Sequence, residues 1–322
     1  MKAVFFGDLL LRLNPPEYQR FVQVNEFCYT YTGAEANVAV ALSNFGMETS
    51  FVTKVPTHEI GQASLNYLKQ YGVGVDNVVR GGERLGVFYL EKGASQRGGN
   101  VIYDRANSAF TQAKREEFDW DIIFRDATWF HITGITPALS DELVEISLDA
   151  LKKAKERGIT VSMDLNYRSK LWTKEKAMET YAKLLPYVDY CKDLFGFYEG
   201  AVDVEKIAKW MIDEFGLKGV AVTFRKAKSA NDHDFSAFFI TGGEIYPSKE
   251  YSMHLVDRVG GGDSFSAGWV YALMNGYSPQ ETIDFAVATS CLKHSVEGDF
   301  SLVTLEEVKS LINGDASGRV QR

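Results

Sequence analysis

Between Trp120 and Thr223 short apolar runs alternate with helical patterns, and this alternation restricts the fold more than any other feature of the chain. Residues 127–132, 160–164, 187–191 and 219–223 read as strands. Between the first two, Ser140 opens a helix with an acidic first turn at Asp141 and Glu142, and Gly158 closes it. Strands separated by helices call for a mainly parallel sheet with helices on both faces. Residues 3–6 add a short buried strand that ends in Gly7 and Asp8, and residues 50–55 with a helix over 60–71 form one more strand–helix unit. At 322 residues the chain can bury a full core, enough for one large α/β domain or two small ones.

Two helices in this pattern open on glycine. In residues 257–268, Gly260, Gly261, Gly262 and Asp263 lead into Phe265, Trp269, Val270, Leu273 and Met274, spaced three and four apart as one face of a helix. The first N–H groups of a helix lack intrahelical partners, and its dipole is positive there. Glycines therefore let phosphate oxygens approach closely. A carboxylate at Asp263 would take the proton of an attacking hydroxyl while the amides hold charge on a transferred phosphoryl group. The same residues also suit a tight turn with Asp263 as a helix cap. Earlier, Thr32 and Gly33 precede Ala34, Glu35, Ala36 and Asn37, with Val38, Val40, Ala41, Leu42 and Phe45 following as a helix stopped by Gly46.

A second, smaller sheet is expected from residues that alternate with period two. Residues 27–31 form one such run, and residues 87–91 and 101–103 form a hairpin across a polar loop holding Gly93, Gly98 and Gly99. Near the end, Ser278-Pro279-Gln280-Glu281 and Thr304-Leu305-Glu306-Glu307 are capping-box patterns that start the last two helices, and the tail after Gly314 is expected to fray.

A formal charge of -8 and a pI near 5.3 argue against bulk electrostatic binding of nucleic acid or of an anionic membrane. An anionic substrate must then be captured by local arginines. Cys28, Cys191 and Cys291 show no ligand or disulfide spacing, and the five histidines form no metal-binding pair, His131 reading as a core strand residue. Met1 to Gly7 is too short an apolar run for a signal peptide, and no window reaches the roughly 20 apolar residues of a membrane helix. A soluble, cytoplasmic protein is expected.

The run at 257–268 resembles the C-terminal signature of the ribokinase-like (PfkB) carbohydrate kinases, with Arg258 where Thr is common and Gly261 where Ala is common. Gly33 to Ala39 is similar to that family's N-terminal signature, in the right order and at about the right separation. Residues 103–109, 134–140 and 164–172 look like motifs of the 2-keto-3-deoxygluconate kinase branch, so the likeness covers nearly the whole chain. It implies a single ribokinase-like kinase domain over 1–322: a three-layer αβα sandwich with a mainly parallel central sheet and a small β-sheet lid from about 9–32 and 84–106. It also implies transfer of the ATP γ-phosphate to the 6-hydroxyl of 2-keto-3-deoxygluconate. A neutral-sugar kinase and a catalytically silent sugar-binding protein are the alternatives.

Carried over residue by residue, the family's pattern makes Asp263 the catalytic base and Gly260, Gly261 and Gly262 the anion hole. Gly33, Ala34, Asn37, Tyr89, Tyr103, Arg105, Arg168 and Asp263 would bind the sugar. Asn166, Arg168, Thr223, Arg225, Gly260 and Gly262 would bind ATP, and residues 288–295, with Cys291 and Leu292, would pack beside adenine. Asp164, Asn166 and Arg168 alternate at a strand end, where open α/β sheets place ligands, although the cluster also suits a hydrogen-bonded turn. Magnesium would be held mainly by nucleotide phosphates, and no protein ligand is assigned. The family's Asn-x-x-Glu motif has no asparagine in residues 190–199, so either Asp193 or Glu199 substitutes or the metal is ordered by ATP and water alone. Activation by a monovalent cation is a further expectation of the resemblance, while the aromatic residues 27–31 on the outer face of the lid make a homodimer or higher homo-oligomer joined there the expectation, since edge strands invite partners and two-fold closure is commonest. The glycines that the family often carries soon after the Thr223 strand are missing from residues 226–229.

Overall fold

Strand Lys2–Phe6 shows how the layers arise. Side chains alternate across it, so Ala3 and Phe5 pack with Phe51, Ala36, Val40, Val270 and Phe285, while Val4 and Phe6 pack on the other face with Phe130, Leu143, Ile146 and Tyr181. Each face needs its own cover of helices. In the computed structural model, which describes residues 1–194 and 203–314, helices Ala34–Asn44, Gly261–Met274 and Pro279–Lys293 cover the first face. Asp141–Glu156, Lys174–Leu184 and Val204–Phe215 cover the second.

The central sheet runs Glu244–Pro247, Asp232–Thr241, Gly219–Ala227, Tyr190–Lys192, Thr160–Asp164, Ala127–Thr133, Lys2–Phe6, Glu48–Val52, with Tyr251–His254 also paired to Asp232–Thr241. Every pairing from Glu48–Val52 to Gly219–Ala227 is parallel, and the three beyond it are antiparallel. A smaller four-stranded sheet has the order Cys28–Thr32, Leu10–Asn14, Gly86–Glu91, Asn100–Asp104. Its middle pairing is parallel and its outer two antiparallel, so the lid is a mixed sheet.

The helix-end signals act as expected. Ser140 Oγ accepts from Leu143 N at 3.2 Å, Gly158 has a φ of 68°, and Ser278 and Thr304 each form a capping box.

Three features differ from the sequence reading. The strand expected over 187–191 begins at Tyr190, because Pro186 lies in a 3-10 turn, Leu185–Tyr187. The strand expected to stop near Thr223 continues to Ala227, held by nine pairings with Asp232–Thr241. Thr223, Phe224 and Arg225 therefore lie within a strand, and a strand needs none of the turn glycines whose absence stood out. Helix Gly261–Met274 buries almost its whole circumference, because it is wedged between Ala34–Asn44 and Pro279–Lys293. Its two buried serines are satisfied inside: Ser264 Oγ donates to Thr289 O at 3.2 Å and Ser266 Oγ to Gly262 O at 3.2 Å. Among the described residues, no helix is long and apolar enough to cross a membrane. The tail after Gly314 and Glu199 lie outside the described residues.

Candidate active site

The parallel strands point their C-terminal ends at a cleft of about 620 Å³, with the lid strands on its other side. Open α/β sheets hold ligands at this end. Of the residues singled out from sequence, Gly33, Ala34, Asn37, Tyr103, Arg105, Asn166, Arg168, Thr223, Arg225, Gly260, Gly261, Gly262 and Asp263 all line the cleft.

At the floor, Gly260 caps helix Gly261–Met274 with a φ of 77°, and a Cβ there would come within 1.9 Å of Asp299 O. Only glycine fits both demands. Among the described residues no side chain caps this helix end, so its first N–H groups face the cleft without an intrahelical acceptor. Asp263 is thus not a helix cap. Its Oδ2 accepts from Asn37 Nδ2 at 2.7 Å, and Asn37 Oδ1 accepts from Thr32 Oγ1 at 2.7 Å, a relay that fixes the carboxylate. Burial raises the Asp263 pKa to about 6, against the Asn37 bond and the charge of Lys192, which lower it. Were Asp263 the base, it would act deprotonated, and kcat/KM would be about half its limit near pH 6, close to full about one unit higher, and would fall about tenfold per unit well below 6. Asp8, raised by burial to about 6 despite Arg105, titrates over the same range. The pH profile of Asp8→Asn separates the two: the acid limb persists if Asp263 is its source.

The N-terminal helix is anchored with equal care. Gly33 lets the chain pass Asp8, since a Cβ there would lie 2.0 Å from Asp8 O. The buried Glu35 carboxylate accepts from Thr133 N at 2.9 Å and from Thr133 and Thr136 Oγ1, each at 2.8 Å. Those bonds lock Ala34–Asn44 to strand Ala127–Thr133.

Asp164, Asn166 and Arg168 do meet in the cleft, though not by strand alternation. The strand stops at Asp164, Asn166 takes a φ of 41°, and its N–H donates to Asp164 Oδ1 at 3.0 Å. The turn reading holds, and the turn brings all three residues to the wall of the cleft. Asp164 Oδ2 is 2.7 Å from the buried Nζ of Lys192, which also donates to Gly262 O at 3.2 Å. Burial opposes the charge on Lys192, yet Asp164 and Asp193 outweigh it and raise its pKa. Sequence reasoning missed Lys192 and Asp8. Their chemistry depends on contacts with residues far away in the chain, and only the strand-end position of each was visible beforehand. Arg258, noted only as a departure from the family signature, also lines the cleft with Arg168 and Arg225.

One expected sugar contact is corrected. In strand Gly86–Glu91 the side chains of Phe88 and Leu90 face the cleft, so Tyr89 points to the opposite face of the lid, where it packs on Phe21 and Phe27. Arg105 is buried, lies 4.5 Å over the Tyr103 ring and stands 3.8 Å from Asp8 Oδ2. It is no solvated loop charge. His131 is a core residue, its Nδ1 2.8 Å from Ser162 Oγ and its pKa lowered by burial to about 4. The three cysteines are free thiols.

The model of the pfkB family of carbohydrate kinases matches residues 1–193 and 233–303. The chain belongs to the pfkB family of carbohydrate kinases. This kinase is 34% identical to a 2-dehydro-3-deoxygalactonokinase of Haloferax volcanii, over 98% of both chains. It is 29% identical to a 2-dehydro-3-deoxygluconokinase of Bacillus subtilis, over 97% of this chain and 96% of the relative. A crystal structure of 2-dehydro-3-deoxygluconokinase from Thermotoga maritima superimposes with a TM-score of 0.94 at 43% identity, covering 98% of the kinase and 100% of that chain.

Proposed function

We propose that this kinase transfers the γ-phosphate of ATP to the 6-hydroxyl of 2-keto-3-deoxygluconate. The observation that carries the substrate class is Arg105. A buried guanidinium lines the same cleft as Asp263, rests on the Tyr103 ring, is 3.8 Å from Asp8 Oδ2, and keeps an Nε donor without a hydrogen-bond partner among the described residues. Such a group is costly unless a ligand completes it, and a forked carboxylate does so. The relatives named above point to the same class of sugar acid.

In this reading Asp263 accepts the proton of the attacking hydroxyl, held in place by Asn37 and Thr32. The amides at 260–262 receive the charge on the transferring group. Lys192 steadies that nest from below through Gly262 O, and Arg168, Arg225 and Arg258 receive nucleotide phosphates at the mouth, beside Asn166 and Thr223. Magnesium bound with the nucleotide would be held mainly by phosphates and water, which needs few protein ligands. When bound with the nucleotide, that ion neutralises phosphate charge. Asp193, which lines the cleft with its Oδ1 accepting from Thr223 Oγ1 at 3.2 Å, would help to orient the water around that ion. Closure of the lid over the sugar would exclude water as a competing acceptor. Exposed Val22, Phe27, Tyr29 and Ile102 on the lid support assembly of two copies through it, which light scattering would detect as a doubled mass.

The test is an ADP-release assay with 2-keto-3-deoxygluconate, its C4 epimer and neutral hexoses, followed by phosphorus NMR of the product. Turnover of the sugar acids with a 6-phosphate product is expected; faster turnover of a neutral hexose would overturn the assignment. In Arg105→Ala the sugar-acid KM is expected to rise by about 10- to 100-fold, the loss of one charge-assisted pair, while weak neutral-sugar turnover stays level. An unchanged KM would remove Arg105 from substrate recognition.

A further inference from the structure

Behind the anion hole, the carbonyl oxygens of Asp257, Val296 and Gly298 converge on one point. That point is the ammonium of Lys293, whose Nζ donates to them at 3.3, 3.3 and 2.6 Å. The side chain is wholly buried, and its three donors meet three acceptors. Burial lowers its pKa to about 8, opposed by the carboxylates of Asp257 and Asp299, so it stays mostly protonated at neutral pH. Converging backbone carbonyls that replace a hydration shell are the ligand set by which proteins hold alkali ions.

The two segments joined here shape the anion hole. Asp257 begins the loop that runs to Gly260, and Val296 and Gly298 belong to the loop whose Asp299 carbonyl lies against Gly260. Gly298 N donates to the Asp257 side chain at Oδ2, 3.2 Å away, and Val256 N to His294 O at 2.8 Å, so Lys293 closes a seam that these bonds begin. We propose that Lys293 is a positioning residue whose ammonium takes the seat of a monovalent cation, so that the anion hole is set without a free ion. The expectation of cation activation is thereby reversed for this chain, because a seat that an ion would take is filled by a side chain. The inference rests on the reading of the amides at 260–262 as the phosphoryl site.

The test uses the full chain in KCl, ammonium chloride, NaCl and choline chloride, with sugar-acid turnover and thermal melting read in each. Wild-type turnover is expected to stay within about twofold across the four salts, with no specific shift in melting. Lys293→Ala opens the seat. In choline chloride it is expected to lose about 100-fold in kcat through a displaced anion hole. Potassium or ammonium is expected to restore most of that loss and to raise the melting temperature by about 2–4 °C. A wild-type enzyme that loses most of its turnover when potassium is withdrawn overturns the proposal without any variant. So does a Lys293→Ala protein that no cation improves in turnover or melting, including one that stays unfolded in all four salts. Should wild type phosphorylate no sugar acid, the proposed function fails by itself, and the melting arm still decides the role of Lys293.

Discussion

Asp263→Asn is expected to lower kcat by about 10²–10⁴-fold while the KM for the sugar acid stays within a small factor. The amide keeps the shape of the carboxylate and can still bond Asn37, whose own side chain is able to flip, so the cleft survives. What it lacks is a place for the hydroxyl proton. The wild-type carboxyl sits at about 6, close enough to neutrality to be ionised at pH 7 and basic enough to take a proton as the hydroxyl attacks. Steady-state kinetics on the variant is the check. A kcat within tenfold of wild type would mean that the proton leaves by another route, and a KM raised in proportion to the loss in kcat/KM would mean that Asp263 binds and does not catalyse.

A loss of about 3–5 kcal/mol in folding stability is expected from Arg12→Met. Arg12, on lid strand Leu10–Asn14, is among the largest wholly buried side chains. It donates to Asp257 Oδ2 at 3.0 Å and also to Asp299 Oδ2, both buried and both more than 240 residues away in the chain. Burial opposes the charge on Asp257, yet Arg12, Lys293 and Lys92 outweigh it and hold its pKa below the usual carboxylate range. Removing the guanidinium leaves two desolvated carboxylates with Lys92 and Lys293 as their remaining cations. The magnitude is the cost of stranding charge and not the net worth of the ion pairs, which an apolar replacement of all three residues could match. Since whole domains are stable by about 5–15 kcal/mol, the change should be plain in urea unfolding. A loss below about 1 kcal/mol would show that water or the lysines already compensate the two carboxylates.

Much of this architecture is written in local sequence. Glycine before an apolar run marks both helices that open on the cleft, and the serine and threonine capping boxes mark their helix starts, because these signals act within one turn of chain. The parallel sheet follows from alternation alone. What the sequence hid lies in long-range pairing. Lys192 became a site residue through Asp164 and Gly262, Lys293 through carbonyls on two loops, and Arg12 through carboxylates near the other end of the chain. A lysine at a strand end or helix end carries no local mark of such a fate. Tyr89 went wrong for a reason that was readable: its strand alternates, so Phe88 and Leu90 could not share a face with it. The extent of strand Gly219–Ala227 depends on its partner, since its second half is held by the hairpin strand Asp232–Thr241 and carries little apolar alternation of its own.

The most direct measurement is a crystal structure with 2-keto-3-deoxygluconate and a non-hydrolysable ATP analogue. The γ-phosphate is predicted on the N–H groups at 260–262, the 6-hydroxyl within hydrogen-bond reach of Asp263, and the sugar carboxylate on Arg105. Polyphosphate bound away from those glycines, or a sugar whose reacting hydroxyl faces another carboxylate, would contradict it.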